Sequence, residues 1–407
     1  MKDSLVLGVL SVLALCGMAA IAYQQRGRAF IGANDFMPLY AGPVLLESGE
    51  LYDNDRLLAI VYERTGSFSP EQGFIRFPFH AALLYPLSLL PYRTAYLIWT
   101  ALSFASIVGF VVLWRLPQAS VRTLMYCMSV PLTSILLNGQ DVGFLLLVVA
   151  LTARLHERGN EFAAGLAFSI CAAKFHLFLL TPVWILARRD WPFLKGLLAG
   201  GGALAGISFA VAGWDWPLEW LASALNDRFS PGLSAMPNLH GALSKLPAAF
   251  VWEAVASAIV VAAVWIAARR GEFHWGFGAA LAGGLLLSRH SYMLDTAVLL
   301  PTCLTIMALS NLLVLRILAF VPLVPVWAML VGSAYPYSAL ATAVAAALLL
   351  GMAWESWGEV PVSVSLGNSP RMPEGESLTL GSAQAQAPVA QPVPVRPHTP
   401  SDRRLRA

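Results

Sequence analysis

The sequence predicts an all-helical protein that crosses a membrane many times. Of its 407 residues, 57% are hydrophobic and only 12% are charged, whereas soluble globular domains are roughly 45–50% apolar and about 25% charged. The mean hydropathy of +0.66 agrees with this. So few charged side chains cannot cover a water-facing surface, and a backbone in hydrocarbon satisfies its own hydrogen bonds best as a helix. The net charge of +3 is small and scattered, so the composition gives no sign of a nucleic-acid partner.

Apolar runs along the chain predict about twelve transmembrane helices. The first run follows Lys2 and could be a cleaved signal peptide. It is as long as the roughly 20 residues that a bilayer core requires, and further runs follow it, so we favour an uncleaved first helix. Several other runs are shorter than a full crossing and are expected to be tilted, broken or partly inserted. The predicted spans are residues 5–23, 94–113, 123–137, 142–155, 161–174, 175–186, 195–212, 248–268, 275–287, 292–310, 317–331 and 337–354.

The basic residues predict the orientation of the chain. If the spans alternate, these residues flank connections on one side, which the positive-inside tendency places in the cytoplasm together with both termini. The other side then carries two large loops, 24–93 and 213–247. The tail, 358–407, is rich in Pro, Ser and Gln and is predicted to be disordered, which leaves 1–357 as the membrane domain. The residues that set this orientation are Arg115, Arg122, Arg154, Arg158, Arg188, Arg189, Lys195, Arg269, Arg270 and Arg316.

Asp35, in the first outer loop, is the candidate catalytic residue. It follows the first span closely among aromatic and apolar neighbours, so its carboxylate is expected at the membrane interface, where an acid can take a proton from an attacking hydroxyl. Asp is also a favourable N-cap, and a short helix is predicted at 36–48. On the residues alone, capping is the slightly better explanation.

A short apolar piece of the same loop, 79–90, contains Pro86 and is predicted to be a re-entrant or interfacial helix. Arg76 and His80 stand at its beginning. They could hold a lipid phosphate through charge-assisted hydrogen bonds. Equally, they could extend to the interface without any ligand.

Lys174 has long apolar runs on both sides, and His176 is the only other polar residue close to it. Ionisable residues at membrane depth are costly and usually face a cavity or a partner. We therefore predict that Lys174 contacts an anionic phosphate. Gln140 and Asp141, by contrast, belong to an outer turn whose residue types need no function to explain them.

Two more outer segments carry polar side chains at the ends of spans. Asn238 and His240 are suited to hydrogen bonding with sugar or phosphate. Arg289 and His290 place a cation and an imidazole at another outer turn. Asp295 follows inside an apolar stretch, where it could pair with Arg289 or His290 or contact substrate.

Several different short motifs follow one another from Asp35 to about Pro301, and together they resemble glycosyltransferase family 87, of the GT-C class of polytopic enzymes. The resemblance rests on order and spacing. Two departures are Phe77 and Phe79, where the family often has tyrosine and proline, and Arg289, where it commonly has proline. The motifs are Asp35-Phe36 through Tyr40-Ala41-Gly42, Gly49-Glu50-Leu51-Tyr52-Asp53, Phe77-Pro78-Phe79, Tyr85-Pro86-Leu87 with Leu90-Pro91, Asn138-Gly139-Gln140, Gly165 to Lys174, and Ser288-Arg289-His290-Ser291-Tyr292.

The resemblance implies a GT-C-like bundle and a membrane glycosyltransferase of the bacterial inner (plasma) membrane. Its donor would be a polyprenyl-phosphate sugar, with mannose favoured by the similarity to phosphatidylinositol mannoside mannosyltransferases. The acceptor would be a hydroxyl of a lipid or glycan at the periplasmic face. In that family the acid of the first outer loop is the general base, which matches Asp35. Inversion at the anomeric carbon is implied, with no cofactor and no metal.

Site residues follow from the same comparison. The residues expected at the donor phosphate are Lys174, His176, Arg289, His290 and Arg76. Those expected at the acceptor or the sugar are Tyr40, His80, Gln140, Asn238 and His240.

Two other functions are consistent with the sequence. A transporter or flippase of a lipid-linked sugar would also place charges at membrane depth, but it is expected to show inverted repeats with broken helices, and no convincing repeat is found. A non-catalytic partner in envelope assembly is the third alternative.

Overall fold

The computed structural model describes residues 34–357, with gaps at 67–71, 115–128, 227, 229–231, 271, 325 and 334, together with scattered positions between 12 and 32. The predicted first span, 5–23, lies mostly outside the described residues. The predicted tail, 358–407, lies wholly outside them.

The described residues form helices and short 3₁₀ segments, and no β-strand occurs among them. Longer helices cross the bundle, and shorter ones fill the first outer loop and the turns. In chain order the α-helices are α1 Phe36–Ser48, α2 Asn54–Thr65, α3 Pro78–Ser88, α4 Tyr92–Leu113, α5 Val130–Asn138, α6 Val142–Glu157, α7 Glu161–Phe168, α8 Thr181–Arg188, α9 Trp191–Ala212, α10 Trp216–Ala224, α11 Leu239–Leu243, α12 Ala249–Ala268, α13 Phe273–Leu287, α14 Leu299–Leu309, α15 Leu313–Phe320, α16 Val326–Val331 and α17 Tyr337–Trp357. The 3₁₀ segments are Ser169–Phe178, Leu233–Ala235, Met293–Val298 and Val321–Leu323.

Five helices of the described chain are long and apolar enough to cross a membrane, which supports a membrane protein. Four of them match the predicted spans 94–113, 195–212, 248–268 and 337–354 to within a few residues. The predicted count of about twelve is not confirmed, because the other apolar helices are shorter. The five are Tyr92–Leu113, Glu161–Phe178, Trp191–Ala212, Ala249–Ala268 and Tyr337–Trp357.

The predicted run 317–331 shows that one apolar run can contain several short helices. It contains the end of α15, the 3₁₀ turn Val321–Leu323 and the separate helix α16. Pro322 stands at the start of that turn, and proline has no N–H with which to continue an α-helix. Hydropathy alone does not distinguish one long helix from several short ones.

The first outer loop has its own hydrophobic core. The helix predicted at 36–48 is confirmed as α1, and Pro78 begins α3, where a residue without an N–H loses no hydrogen bond. Phe36 is completely buried and stacks on Trp99 of α4, with ring centroids 5.5 Å apart. Tyr92 packs edge-on against Tyr40 at 5.0 Å. This aromatic packing fixes the N-terminus of α1 against α4.

The helix is broken at Lys174, where the sequence predicts that one span, 161–174, ends and the next, 175–186, begins. Lys174, within the 3₁₀ segment Ser169–Phe178, has φ −134° and ψ 52°, which are not helical. Glycines bring neighbouring backbones close on both sides of the break. A Cβ on Gly200 of α9 would overlap the Ser169 side chain, and one on Gly284 of α13 would overlap Leu177 O. The break is therefore held between two helices.

Gly196→Ala should destabilise the packing of α7 against α9. A Cβ at Gly196 would overlap the backbone carbonyl of Phe162, and one at Gly165 would overlap the carbonyl of Phe193. Because backbone cannot move aside as a flexible side chain can, we expect a loss of about 1–3 kcal/mol, measured by thermal unfolding in detergent.

The matched control is Gly202→Ala in the same helix, where an added Cβ meets nothing within 4 Å. Alanine is the better helix former, so this variant should be neutral or stabilised by up to about 1 kcal/mol. Equal unfolding temperatures for the two variants would contradict close α7–α9 packing.

Candidate functional site

Asp35 immediately precedes α1, and neighbouring contacts attach this point of the chain to the end of α5. The Asp35 N–H donates to Asn138 O at 3.0 Å. The Asn34 side chain donates to Leu137 O at 3.1 Å. The Asp35 carboxylate makes no capping hydrogen bond to α1, and instead Asn34 Oδ1 accepts from Phe36 N–H at 3.1 Å. Asp35 therefore stands at the N-cap position of α1 without a capping side-chain hydrogen bond, and the side chain of the preceding asparagine bonds to the first turn instead.

The turn between α5 and α6 lies directly beside Asp35. Gly139 has a φ of +64°, and a Cβ on it would lie 2.8 Å from Asn34 Oδ1. Such a backbone conformation and such a close approach both require glycine. Trp99 Nε1 donates to Gly139 O at 2.8 Å. These contacts direct the Gln140 side chain toward Asp35.

A chain of hydrogen bonds joins Asp35 to Lys174. Gln140 Nε2 donates to Asp35 Oδ2 at 2.7 Å, and Lys174 Nζ donates to Gln140 Oε1 at 2.8 Å. The ammonium also donates to Asp295 Oδ1 at 2.7 Å and lies 3.3 Å from Asp141 Oδ1. Lys174 is only 3% exposed, so its three N–H groups each face an acceptor within the protein.

Arg76 and His80 reach the same cluster from the beginning of α3. Arg76 contacts both oxygens of Asp141, with Nε at 3.0 Å from Oδ2 and Nη2 at 3.4 Å from Oδ1. His80 Nε2 lies 3.9 Å from Asp141 Oδ2. Burial lowers the pKa of His80 to about 4, so its imidazole is neutral at pH 7.

The charges of the cluster single out Asp35. Burial disfavours the charged form of Asp141, but Arg76 and Lys174 outweigh it, and the pKa of Asp141 lies below its usual value. Asp295 is paired with Lys174. Asp35 is half-buried, and burial raises its pKa although the Gln140 hydrogen bond and the charge of Lys174 act in the opposite direction. It is thus the carboxylate of this cluster best placed to gain and lose a proton.

Sequence reasoning missed the burial of Asp141 and the pairing of Asp295 with Lys174. The sequence predicts a turn residue at Asp141, yet it is 2% exposed and shared by Arg76 and Lys174. Asp295 pairs with Lys174, and its Oδ2 accepts from Tyr292 N–H at 3.0 Å. Lys174 itself indicates that such buried carboxylates should exist, because a lysine within an apolar run needs a buried counter-ion.

Two histidines lie at the edge of the cluster. The rings of His176 and His290 are perpendicular with centroids 6.2 Å apart, and Tyr292 packs edge-on against His290 at 5.0 Å. His176 follows Lys174 by two residues, and Arg289, beside His290, is exposed. The structure therefore brings His176 and His290 together, with Arg289 at the outside of the same turn.

Three of the predicted acceptor or sugar residues lie in other contacts. The Tyr40 hydroxyl donates to Leu90 O at 2.8 Å, so it fixes the start of α4. Asn238 caps α11, is fully buried, and donates to Ser291 Oγ at 2.8 Å. His240 Nδ1 lies 3.0 Å from Glu253 Oε2. These contacts give the three residues structural roles, and the substrate contacts predicted for them stay predictions.

An aromatic wall adjoins the cations. Phe77 and Phe175, which directly follow Arg76 and Lys174, stack face to face with ring centroids 5.4 Å apart. The Trp220 ring packs edge-on against Phe77 at 5.0 Å and lies 5.8 Å from Phe175. We call Phe77, Phe175 and Trp220 the aromatic wall. It offers an apolar surface next to the polar cluster, and Phe175 is exposed.

Within the described part of the chain, no group of three or more His, Cys, Asp or Glu side chains is arranged to hold a metal ion. Comparison with protein families gives one match: the model of glycosyltransferase family 87 covers residues 74–294, more than half of the chain. This range includes Arg76, Gln140 and Lys174 but begins after Asp35. No curated protein and no solved structure matches the chain significantly.

Proposed function

The chain belongs to glycosyltransferase family 87, and from this premise we propose that it transfers a sugar from polyprenyl phosphate to a hydroxyl group of a lipid or glycan. Mannose is the sugar we propose. Family membership makes the chain a glycosyltransferase and hence an enzyme, which favours transfer over the transporter and the non-catalytic partner. The proposed site faces the periplasm, in a multi-pass protein of the bacterial inner membrane with both termini in the cytoplasm.

We assign Asp35 the role of general base. The observation that carries this assignment is its hydrogen bond to Gln140, which Lys174 binds in turn. The acceptor oxygen attacks the anomeric carbon while the bond from that carbon to the phosphate oxygen breaks. The hydroxyl proton passes to Asp35, and the electron pair of the broken bond leaves with the polyprenyl phosphate. Attack opposite the leaving group inverts the anomeric configuration.

The donor phosphate is proposed to bind beside His176, Arg289 and His290. The sequence also predicts Lys174 and Arg76 at the donor phosphate, but the N–H groups of these two side chains already face Asp141, Asp295 and Gln140. Direct contact with phosphate would break a buried ion pair, which is costly. Arg289 is exposed at the edge of the cluster, and a guanidinium suits phosphate geometry. It would stabilise the charge that develops on the leaving phosphate.

The lipid chain of the donor is proposed to lie along the aromatic wall. Phe77 and Phe175 directly follow the two cations of the cluster in sequence, so an apolar chain lying on these rings has its phosphate end near the polar residues. The acceptor hydroxyl then approaches from the half-exposed side of Asp35, near His80.

Purified protein in lipid nanodiscs tests this proposal directly. The protein is given radiolabelled polyprenyl-phosphate mannose or, separately, nucleotide-linked mannose, with membrane lipid extract as acceptor. We expect labelled glycolipid only from the polyprenyl donor. Transfer from the nucleotide sugar alone would overturn the donor assignment. Movement of the lipid-linked sugar across a proteoliposome bilayer without any transfer would favour the flippase.

A further inference from the structure

The Gln140 amide has two partners that cannot be exchanged. Lys174 carries a protonated amine, which donates hydrogen bonds and cannot accept them. The amide oxygen must therefore face Lys174, and the amide nitrogen must face Asp35, at the 2.8 Å and 2.7 Å distances found. The partners fix which way the amide points, whereas an isolated glutamine could present either end.

The Asp35 carboxylate is held in a defined state by this amide. The Nε2 group of Gln140 only donates, so it occupies an acceptor site on Asp35 Oδ2. Oδ1 is then the carboxylate oxygen left open to take a proton from the acceptor hydroxyl. Within the described residues no hydrogen-bond donor is found at Oδ1, and Asp35 is partly exposed whereas Asp141 and Asp295 are buried.

Lys174 is itself held rigidly. Asp295 comes from the 3₁₀ segment Met293–Val298, and Asp141 adjoins Gln140 in the same turn. Both carboxylates are buried against the ammonium. The close approach of Gly284 to Leu177 O limits movement of the broken helix that carries Lys174. Three separate parts of the chain thus determine where the Lys174 ammonium meets the Gln140 amide.

We propose that Gln140 is a positioning residue for the base rather than a substrate contact, and that Lys174 acts through it by fixing the amide so that Asp35 Oδ1 faces the acceptor hydroxyl. This inference rests on the proposed role of Asp35 and adds to it the means by which the carboxylate is oriented. It replaces the sequence-based expectation that Gln140 binds acceptor or sugar and that Lys174 binds phosphate.

The test compares Gln140→Glu and Gln140→Leu with the parent enzyme across about pH 4 to 9. The introduced carboxylate still accepts from Lys174 but cannot donate to Asp35 unless it is protonated. Lys174, Arg76 and Asp295 are the other charged groups that act on Asp35, and they are unchanged in both variants. We expect kcat to fall by roughly 100-fold at neutral pH, with little change in the KM for either substrate.

The pH profile gives a readout that a purely structural role would not move. The base acts when ionised, so the rate is lost as pH falls through the pKa of Asp35. Removing the Gln140 hydrogen bond removes an interaction that favours the ionised form, so the midpoint of the profile moves to higher pH in Gln140→Leu. In Gln140→Glu two neighbouring carboxylates share a proton, so the midpoint moves further.

Gln72→Leu is the matched control for Gln140→Leu, because it removes a neighbouring amide without adding a charge. The Gln72 Nε2 group donates to the backbone oxygen of Asn34, the residue before Asp35, at 3.3 Å, and not to the Asp35 carboxylate. We therefore expect activity within about threefold of the parent and an unchanged pH midpoint. If Gln140→Leu raises only the acceptor KM and keeps the parent midpoint, Gln140 is a substrate contact and the inference fails. Parent-like kinetics in Gln140→Glu also overturn it. In either case, an inactive Asp35→Asn variant would leave the proposed function standing.

Discussion

Asp35→Asn is expected to lower the rate of sugar transfer by roughly 10²–10⁴-fold, the usual contribution of a general base. Asparagine has nearly the same shape, and its Oδ1 can still accept the hydrogen bond from Gln140 Nε2. It cannot take up a proton from the acceptor hydroxyl. The measurement is single-turnover transfer from the polyprenyl-phosphate sugar, together with donor binding and the unfolding temperature, both of which should change little.

Asp53→Asn is the control in the same outer loop. Asp53 caps α2, accepting from the N–H groups of Asp55 and Arg56, and asparagine caps helices about as well. This variant should transfer sugar at the parent rate. An Asp35→Asn enzyme as active as the Asp53→Asn enzyme would remove Asp35 from the mechanism.

The individual functional residues were largely predictable because each violates the local pattern. Lys174 interrupts an apolar run, and an uncompensated ammonium there would be costly, so a buried interaction could be expected without knowing its partners. Asp35 was conspicuous as an acid close to a predicted span. The helices α1 and α4 followed from hydropathy and turn signals. Each of these predictions depends only on the residues directly before and after the position in the sequence.

The partners were not predictable, because the cluster is assembled from distant segments. Gln140 is 105 residues from Asp35, and Asp295 is 121 residues from Lys174. No periodicity in one sequence relates such positions. Asp141 looks like an ordinary turn residue for the same reason, since its burial depends on where α3 and the 3₁₀ segment Ser169–Phe178 pack. The predicted helix count is not confirmed for a related reason, because helix length depends on breaks that hydropathy does not register.

The cluster also supports the proposed role of Asp35 as the general base. Asp141 and Asp295 are fully buried and bound to cations, so protonating either would break an ion pair. Asp35 meets the cationic part of the cluster only through a neutral amide. The Gln140 amide orients the Asp35 carboxylate through a hydrogen bond and adds no charge beside it. The carboxylate is therefore held in place yet remains basic enough to take a proton.

Lys174→Met is expected to destabilise the fold by about 3–5 kcal/mol, because removing one partner of a buried ion pair leaves an uncompensated charge. Asp141 would keep Arg76. Asp295 would lose the ammonium and keep the hydrogen bond from Tyr292 N–H. Methionine nearly fills the volume of the lysine stem, so loss of packing is a small part of the effect. Denaturant unfolding in detergent measures the change.

The double variant Lys174→Met with Asp295→Asn separates charge from packing. If the unpaired Asp295 carboxylate causes the loss, neutralising it should restore roughly 0.5–3 kcal/mol, the range found for residues in direct contact. Lys195→Met, at an exposed position of α9, should change stability by no more than about 0.5 kcal/mol. Transfer should stay low in the double variant even where stability returns, because the Gln140 amide has still lost the donor that orients it. A stable and fully active Lys174→Met enzyme would show that neither the ion pairs nor the orientation of Gln140 depends on this lysine.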